Sequence, residues 1–255
     1  MKTKVLLYSL LLLLVGFNAN AQERVTTFGF QLKPIIPIQF FDAGTQEQTV
    51  NNIEYINTPK LGMSFGMVIR MGFTKSLSLE TGINVLRRNF DLTINDVDSN
   101  FSGTSQFRLL NYEIPVQGLV YVRLNRQMYM NVSGGLSFDI YPTPLFTSDT
   151  YFANAVNRNN WLQTSLIANV GWEYRTEKSG YFYFGASFHR PFQVIFREFV
   201  TYKGEAGNRR EETTFDLTGN YITLDFRYFF HEDPEKKGKK QKKEKTKRKF
   251  VDPRK

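Results

Sequence analysis

The chain holds two histidines, and one of them, His189, lies two residues beyond Ser187 on the same strand face as Tyr183. A hydroxyl beside an imidazole is the start of a nucleophile–base pair, but acyl transfer also needs an acid to orient the ring. No carboxylate stands near His189 in sequence. The residue therefore reads as a hydrogen-bonded interior histidine, and no enzymatic activity is expected. There is no cysteine, so disulfides, thiolate metal sites and lipid-modified cysteine are excluded. Metal-ligand spacings, glycine-rich phosphate loops and nucleophile elbows are also missing, so neither metal nor cofactor is expected.

Charge is the remaining chemistry. Lys33, Arg70, Glu80, Glu113, Asp139, Glu173, Arg175, Asp225 and Arg227 all fall on the polar side of alternating segments. On strands they would share one face, and in a narrow ring they would fill its interior and pair with one another. A turn near Thr74-Lys75 sets Arg70 opposite Glu80, and a turn about Arg126 sets Glu113 opposite Asp139. Two facing carboxylates need a compensating cation, and Lys33, Arg70, Arg88 and Arg227 are the candidates.

The elements that would position these residues follow a period of two. In Tyr221–Phe230, Ile222, Leu224, Phe226, Tyr228 and Phe230 alternate with Tyr221, Thr223, Asp225 and Arg227. Eight such segments are expected, at 25–40, 60–73, 76–90, 106–124, 127–141, 161–175, 181–197 and 217–230. The short connections are Thr74-Lys75, Asn125-Arg126 and Thr176–Gly180. The long ones are Asp42–Pro59, Asp91–Ser105, Pro142–Asn160 and Thr201–Asp216, which read as loops. Alternating short and long connections are the mark of an outer-membrane barrel with short periplasmic turns. The fold expected is all-β, an eight-stranded antiparallel up-and-down transmembrane β-barrel with both termini in the periplasm. The 24 Phe and 13 Tyr suggest aromatic girdles: Phe73, Tyr121, Trp172, Tyr174, Phe182, Tyr228 and Phe230 low, Phe40, Phe41, Phe90, Tyr141, Trp161 and Phe196 high.

The ends differ from the middle. Lys2 and Lys4, the apolar Val5–Val15 run and Ala19-Asn20-Ala21 make residues 1–21 a signal peptide with cleavage before Gln22. The barrel would occupy 22–232. Residues 233–255 form a polybasic tail: from Glu235 on there are twelve basic and three acidic residues, which equals the whole formal charge of +9. Between signal and tail, 19 basic face 21 acidic residues, so the high pI describes the tail alone. A tail so poor in apolar residues is expected to be disordered, with Lys236, Lys237, Lys239, Lys240, Lys242, Lys243, Lys245, Lys247, Arg248 and Lys249 contacting an anionic periplasmic surface. Such a location leaves no role for nucleic acid. Outer-membrane lipid and an envelope protein are the other partners expected.

The Phe28-Gly29-Phe30-Gln31-Leu32-Lys33-Pro34 segment, the Asn111-Tyr112-Glu113-Ile114-Pro115-Val116 motif and the final Tyr221–Phe230 strand resemble the PorT-like family of small outer-membrane barrels associated with type IX secretion. The resemblance implies a non-enzymatic envelope role: a scaffold or accessory subunit of a complex for secretion or surface assembly. The other function open to the sequence is a free-standing barrel that binds a ligand or surface partner through its external loops.

Overall fold

The computed structural model describes residues 26–230, apart from 40–42, 75, 143, 149, 177–178 and 205–209. The signal segment, the tail with its ten named basic residues, His231, Phe40 and Phe41 lie outside the described residues. Thirteen strands are described: β1 (Thr26–Pro37), β2 (Gln46–Val50), β3 (Ile53–Gly72), β4 (Leu77–Asp96), β5 (Phe101–Arg123), β6 (Met128–Ile140), β7 (Leu145–Ser148), β8 (Phe152–Arg158), β9 (Leu162–Arg175), β10 (Tyr181–Pro191), β11 (Phe196–Tyr202), β12 (Glu211–Leu217) and β13 (Tyr221–Phe229).

Eight of these close on themselves. The antiparallel order runs β1-β13-β10-β9-β6-β5-β4-β3, and β3 pairs back with β1 from Thr26↔Met71 to Ile35↔Gly62. These are the eight segments marked by alternation. The pattern is reversed from that of a soluble protein: Phe30, Phe65, Val120, Phe184 and Phe226 are exposed, while Lys33, Glu80, Glu113 and Asp225 are buried. Apolar groups outside and polar groups inside suit a ring surrounded by hydrocarbon rather than water.

At one end, here called the near end, the turns are tight. Phe73 and Thr74 amides bond the Leu77 carbonyl, Leu124 and Asn125 bond Met128, and Thr176 bonds Gly180. At the far end the strands do not stop where alternation suggested. The described residues of the expected loops Asp42–Pro59, Asp91–Ser105, Pro142–Asn160 and Thr201–Asp216 are mainly strand. Beyond a β-bulge between Lys60 and Met63, β3 leaves β1 and takes β2 as its neighbour. Gly62 marks the hand-over, where a Cβ would come within 2.5 Å of the Arg87 carbonyl oxygen. Likewise β5 pairs with β6 only from Tyr112 onward, because the chain leaves β6 at Ile140 and Pro142 has no N–H to continue the ladder.

The extended halves of β3, β4 and β5, with β2, form one layer. A separate sheet, β12-β11-β8-β7, forms the other. Between them lies an apolar core that includes Tyr55, Leu92, Phe107, Tyr141, Val200 and Phe215, all buried. At about 1.5–3 kcal/mol for each fully buried large side chain, this is a core of the kind that folds in water. Phe90, Tyr141 and Phe196 belong to it, correcting their place in a high girdle. The expected strand 181–197 is also two elements: β10 ends at Pro191, and after a bend Ile195 and Phe196 turn into the core. Of the low girdle, Phe73, Trp172, Tyr174, Phe182 and Phe230 are exposed, whereas Tyr121 is 9% exposed and points inward. Tyr121 has the odd parity of Glu113 and Gln117 on β5, which fixes it to the inner face.

Candidate functional site

Strand parity puts the nine charged residues of the polar faces inside the ring, and the geometry divides them into two groups. In the near half, Arg70 on β3 forks between strands: Nε and Nη2 donate to Glu80 Oε2 at 3.2 and 3.0 Å, and Nη1 donates to Glu173 Oε2 at 2.5 Å. Arg175 Nε donates to the other oxygen of Glu173 at 2.6 Å. Arg227 bridges Glu80 and Asp225, reaching Asp225 Oδ2 at 2.6 Å. Lys33 Nζ lies 3.7 Å from that same oxygen. Seven residues thus form one unbroken line of alternating charge: Arg175, Glu173, Arg70, Glu80, Arg227, Asp225, Lys33. Rings cover its cations: Arg70 sits 3.9 Å from the Phe229 centroid, Arg175 4.1 Å from Tyr129 and Arg227 4.7 Å from Tyr183.

Glu113 and Asp139 lie apart, toward the far end. They face each other across β5 and β6, as the turn about Arg126 requires. Of the cations named for them, none is within ion-pair distance among the described residues. The group beside Glu113 is His189, whose Nδ1 lies 2.9 Å from Oε1. The imidazole stacks on Tyr221, with ring centroids 4.4 Å apart, and Arg88 covers the same tyrosine at 4.8 Å. Asn84 Nδ2 donates to Glu113 Oε2 at 2.7 Å, while Asp139 takes the hydroxyls of Ser165 and Ser137. Ser187 does not pair with His189. Its hydroxyl donates to Asp225 at 2.6 Å.

Sequence reasoning put Thr223, Asn84 and Ser137 on polar faces but passed over Gln31, Ser165 and Asn169, uncharged members of the same interior. They have the same parity as the charges, which was the available signal. Gly171 and Gly185 also belong. They pair across β9 and β10, and a Cβ on either would come within 2.3 Å of the Tyr183 hydroxyl oxygen. The tyrosine ring lies over the two glycines, and its hydroxyl donates to Asn169 Oδ1 at 2.6 Å.

The chemistry of this arrangement is compensation. These ion pairs lie inside a ring of eight strands, whose interior is just wide enough for side chains, and all are buried except at Arg175, which is 34% exposed.

The far-end layers carry one buried acid of their own. Glu198 on β11 sits between the two sheets and accepts a hydrogen bond from Asn57 of β3. No cation pairs with it among the described residues, and burial pushes its carboxyl up to about 7.

Residues 15–197, more than half of the chain, match the model of the outer membrane protein beta-barrel domain. The chain belongs to that family. Membership places the protein in the outer membrane and explains the exposed apolar belt. Among solved structures, the outer membrane protein OprG from Pseudomonas aeruginosa is similar at 10% identity and a TM-score of 0.49, over 81% of this chain and 96% of that one. No curated protein sequence matches.

Proposed function

We propose that the protein is a non-enzymatic, non-conducting eight-stranded transmembrane barrel that holds a folded β-sandwich on the outer side of the membrane as a platform for an envelope partner. One observation carries the reading: the interior is filled by the ion-paired line from Arg175 to Lys33, while the far end grows into two layers with their own apolar core. A pore would need an open, hydrated interior. A bare anchor would need no such extension.

The connections support this orientation, since tight turns face the periplasm in barrels of this kind and longer structures face out. Both termini are then periplasmic, with residues 1–21 removed during export and the 233–255 tail free to meet an anionic surface. The PorT-like segments at Phe28–Pro34 and Asn111–Val116 support an accessory role in secretion or surface assembly. The preformed layers at the far end favour the second reading, recognition by the exposed part alone. Two measurements on the protein separate these roles from a channel. Planar-bilayer recordings are expected to show no steady openings. Purification from native membranes is expected to retain a stoichiometric protein partner if the barrel is a subunit, and to yield the barrel alone if its outer layers bind transiently.

A further inference from the structure

The two-layered extension has two flanks, and they are finished differently. On one flank β2 lies against β12, and side chains close the gap: Gln46 Nε2 donates to the Asp216 carbonyl at 2.9 Å and Gln48 Nε2 to the Thr214 carbonyl at 3.0 Å. On the other flank, the far half of β5 and the short strand β7 have no such lacing among the described residues.

The ladder shows which groups are left. The Tyr121 amide bonds the Ser76 carbonyl, so odd residues of β5 turn their backbone groups toward β4. The Leu124 amide bonds the Met128 carbonyl, so even residues turn theirs toward β6. Above Tyr112 the strand β6 is gone. The N–H and C=O groups of Ser102, Thr104, Gln106 and Arg108 therefore point at an open edge, and all four residues are exposed. Natural edges are blunted by lysine, proline or a bulge, or covered. This one carries a single charge, Arg108, at its membrane-proximal end.

The charge beside the edge is net positive, because its one acid, Asp91, stands opposite Gln106 in the register and is held by Lys60. Arg87, exposed on β4, stands next to Leu110 in the register, and Lys60 of β3 lies two strands from the edge. Lys60 is engaged by Asp91 at 3.2 Å, but Arg87 has no acidic partner among the described residues. Arg108 Nε bonds only the neutral Asn89 at 3.2 Å. Gln106, Phe107 and Arg108 line one crevice with Arg87 and Asp91 of β4 and with Leu145 and Thr147 of β7.

We infer that the Ser102–Arg108 edge of β5 is a docking site for an extended acidic segment of a partner protein, which adds as a strand and sets its carboxylates against Arg108 and Arg87. The backbone groups give affinity and the arginines give selectivity. The site rests on the reading of the extension as a platform, yet it is testable in detergent, where orientation across a membrane plays no part.

The test is fluorescence anisotropy with the full chain in neutral detergent and a labelled peptide of roughly eight residues alternating Val or Thr with Asp. Saturable binding is expected. A Lys-for-Asp version of the peptide should bind about tenfold weaker or worse. Gln106→Pro removes an outward N–H without touching the ladder to β4, and Arg108→Glu reverses the charge. Each should weaken binding about tenfold or more, while far-UV circular dichroism and heat-shifted gel mobility stay those of the folded barrel. Equal binding by Gln106→Pro and wild type would reduce the site to charge attraction and overturn strand addition. Two other results would also overturn it. In one, the edge is filled by a second copy, seen as a sedimenting dimer that Gln106→Pro dissolves. In the other, no peptide binds but co-purifying phosphatidylglycerol is lost in Arg108→Glu, so that the arginines serve lipid headgroups.

Discussion

Arg70 and Glu80 face each other across the β3–β4 turn, and the guanidinium puts two of its nitrogens on one carboxylate oxygen before reaching on to Glu173. The pair is buried, so neither charge has water to fall back on. Arg70→Ala leaves Glu80 with Arg227 and Glu173 with Arg175, but removes the link between them. We expect a loss of about 3–5 kcal/mol in urea unfolding, as for other broken buried pairs. Adding Glu80→Gln and Glu173→Gln to Arg70→Ala should recover part of it. No recovery would mean that Arg70 acts through its contact with Phe229 rather than through charge.

Glu113 and His189 make a second test. Glu113→Gln keeps the shape and the Asn84 bond while removing one of two facing carboxylates, so a change within about 1 kcal/mol is expected. His189→Leu leaves Glu113 without its nearest compensating group and breaks the stack on Tyr221, and should cost about 2–4 kcal/mol. The pair of variants is compared by urea midpoint in the same detergent. Equal losses would show that Glu113 needs no partner at that position.

The extension should respond to pH through Glu198. Its carboxyl is raised from the usual 4.5 to about 7 in the folded protein. A raised acid binds its proton more tightly folded than unfolded, so stability is fully present below pH 4.5 and is lost as pH rises toward 7. The linkage bound is about 3 kcal/mol. Hydrogen exchange of β8 and β11 amides should therefore speed up between those limits beyond its intrinsic pH dependence, and Glu198→Gln should abolish the excess. An unchanged excess in the variant would assign it to another group.

The glycine pair under Tyr183 is a packing prediction. Gly185→Val forces a side chain into the tyrosine ring and the Val170 carbonyl, where a Cβ alone would come within 2.6 Å. Overpacking of this kind costs about 1–3 kcal/mol. Adding Tyr183→Ala should relieve part of that cost, measured again by urea unfolding. If it does not, the obstruction is the backbone.

How much of this was readable in the chain depends on which physics wrote the pattern. Alternation such as Ile222/Thr223/Leu224/Asp225 arises wherever one face meets lipid and the other a polar interior, so all eight ring strands could be placed, and parity together with the short turn near Thr74-Lys75 set Arg70 opposite Glu80. The same alternation hid the rest. Tyr55, Leu92 and Phe215 point into an apolar core, so the inner face changes from polar to apolar partway along β3 and β4, and the ends of those strands read as loops. Asn51-Asn52 between Val50 and Ile53 was the missed signal: both asparagines have positive φ, 48° and 61°, as a two-residue hairpin turn requires. The His189–Glu113 contact joins residues from β10 and β5, strands that are not neighbours in the ring, and no local spacing encodes a distance across it.

The claim on which the account depends is that the layered extension stands outside and the tight turns inside. The chain has no cysteine, so single reporters are clean. Asn100→Cys lies at the tip of the β4–β5 hairpin and Arg126→Cys in the β5–β6 turn, both exposed. Treating intact cells with a membrane-impermeant maleimide should label the cysteine at 100 and leave that at 126 untouched until the outer membrane is opened. Labelling of 126 with protection of 100 would invert the protein in the membrane and contradict the account.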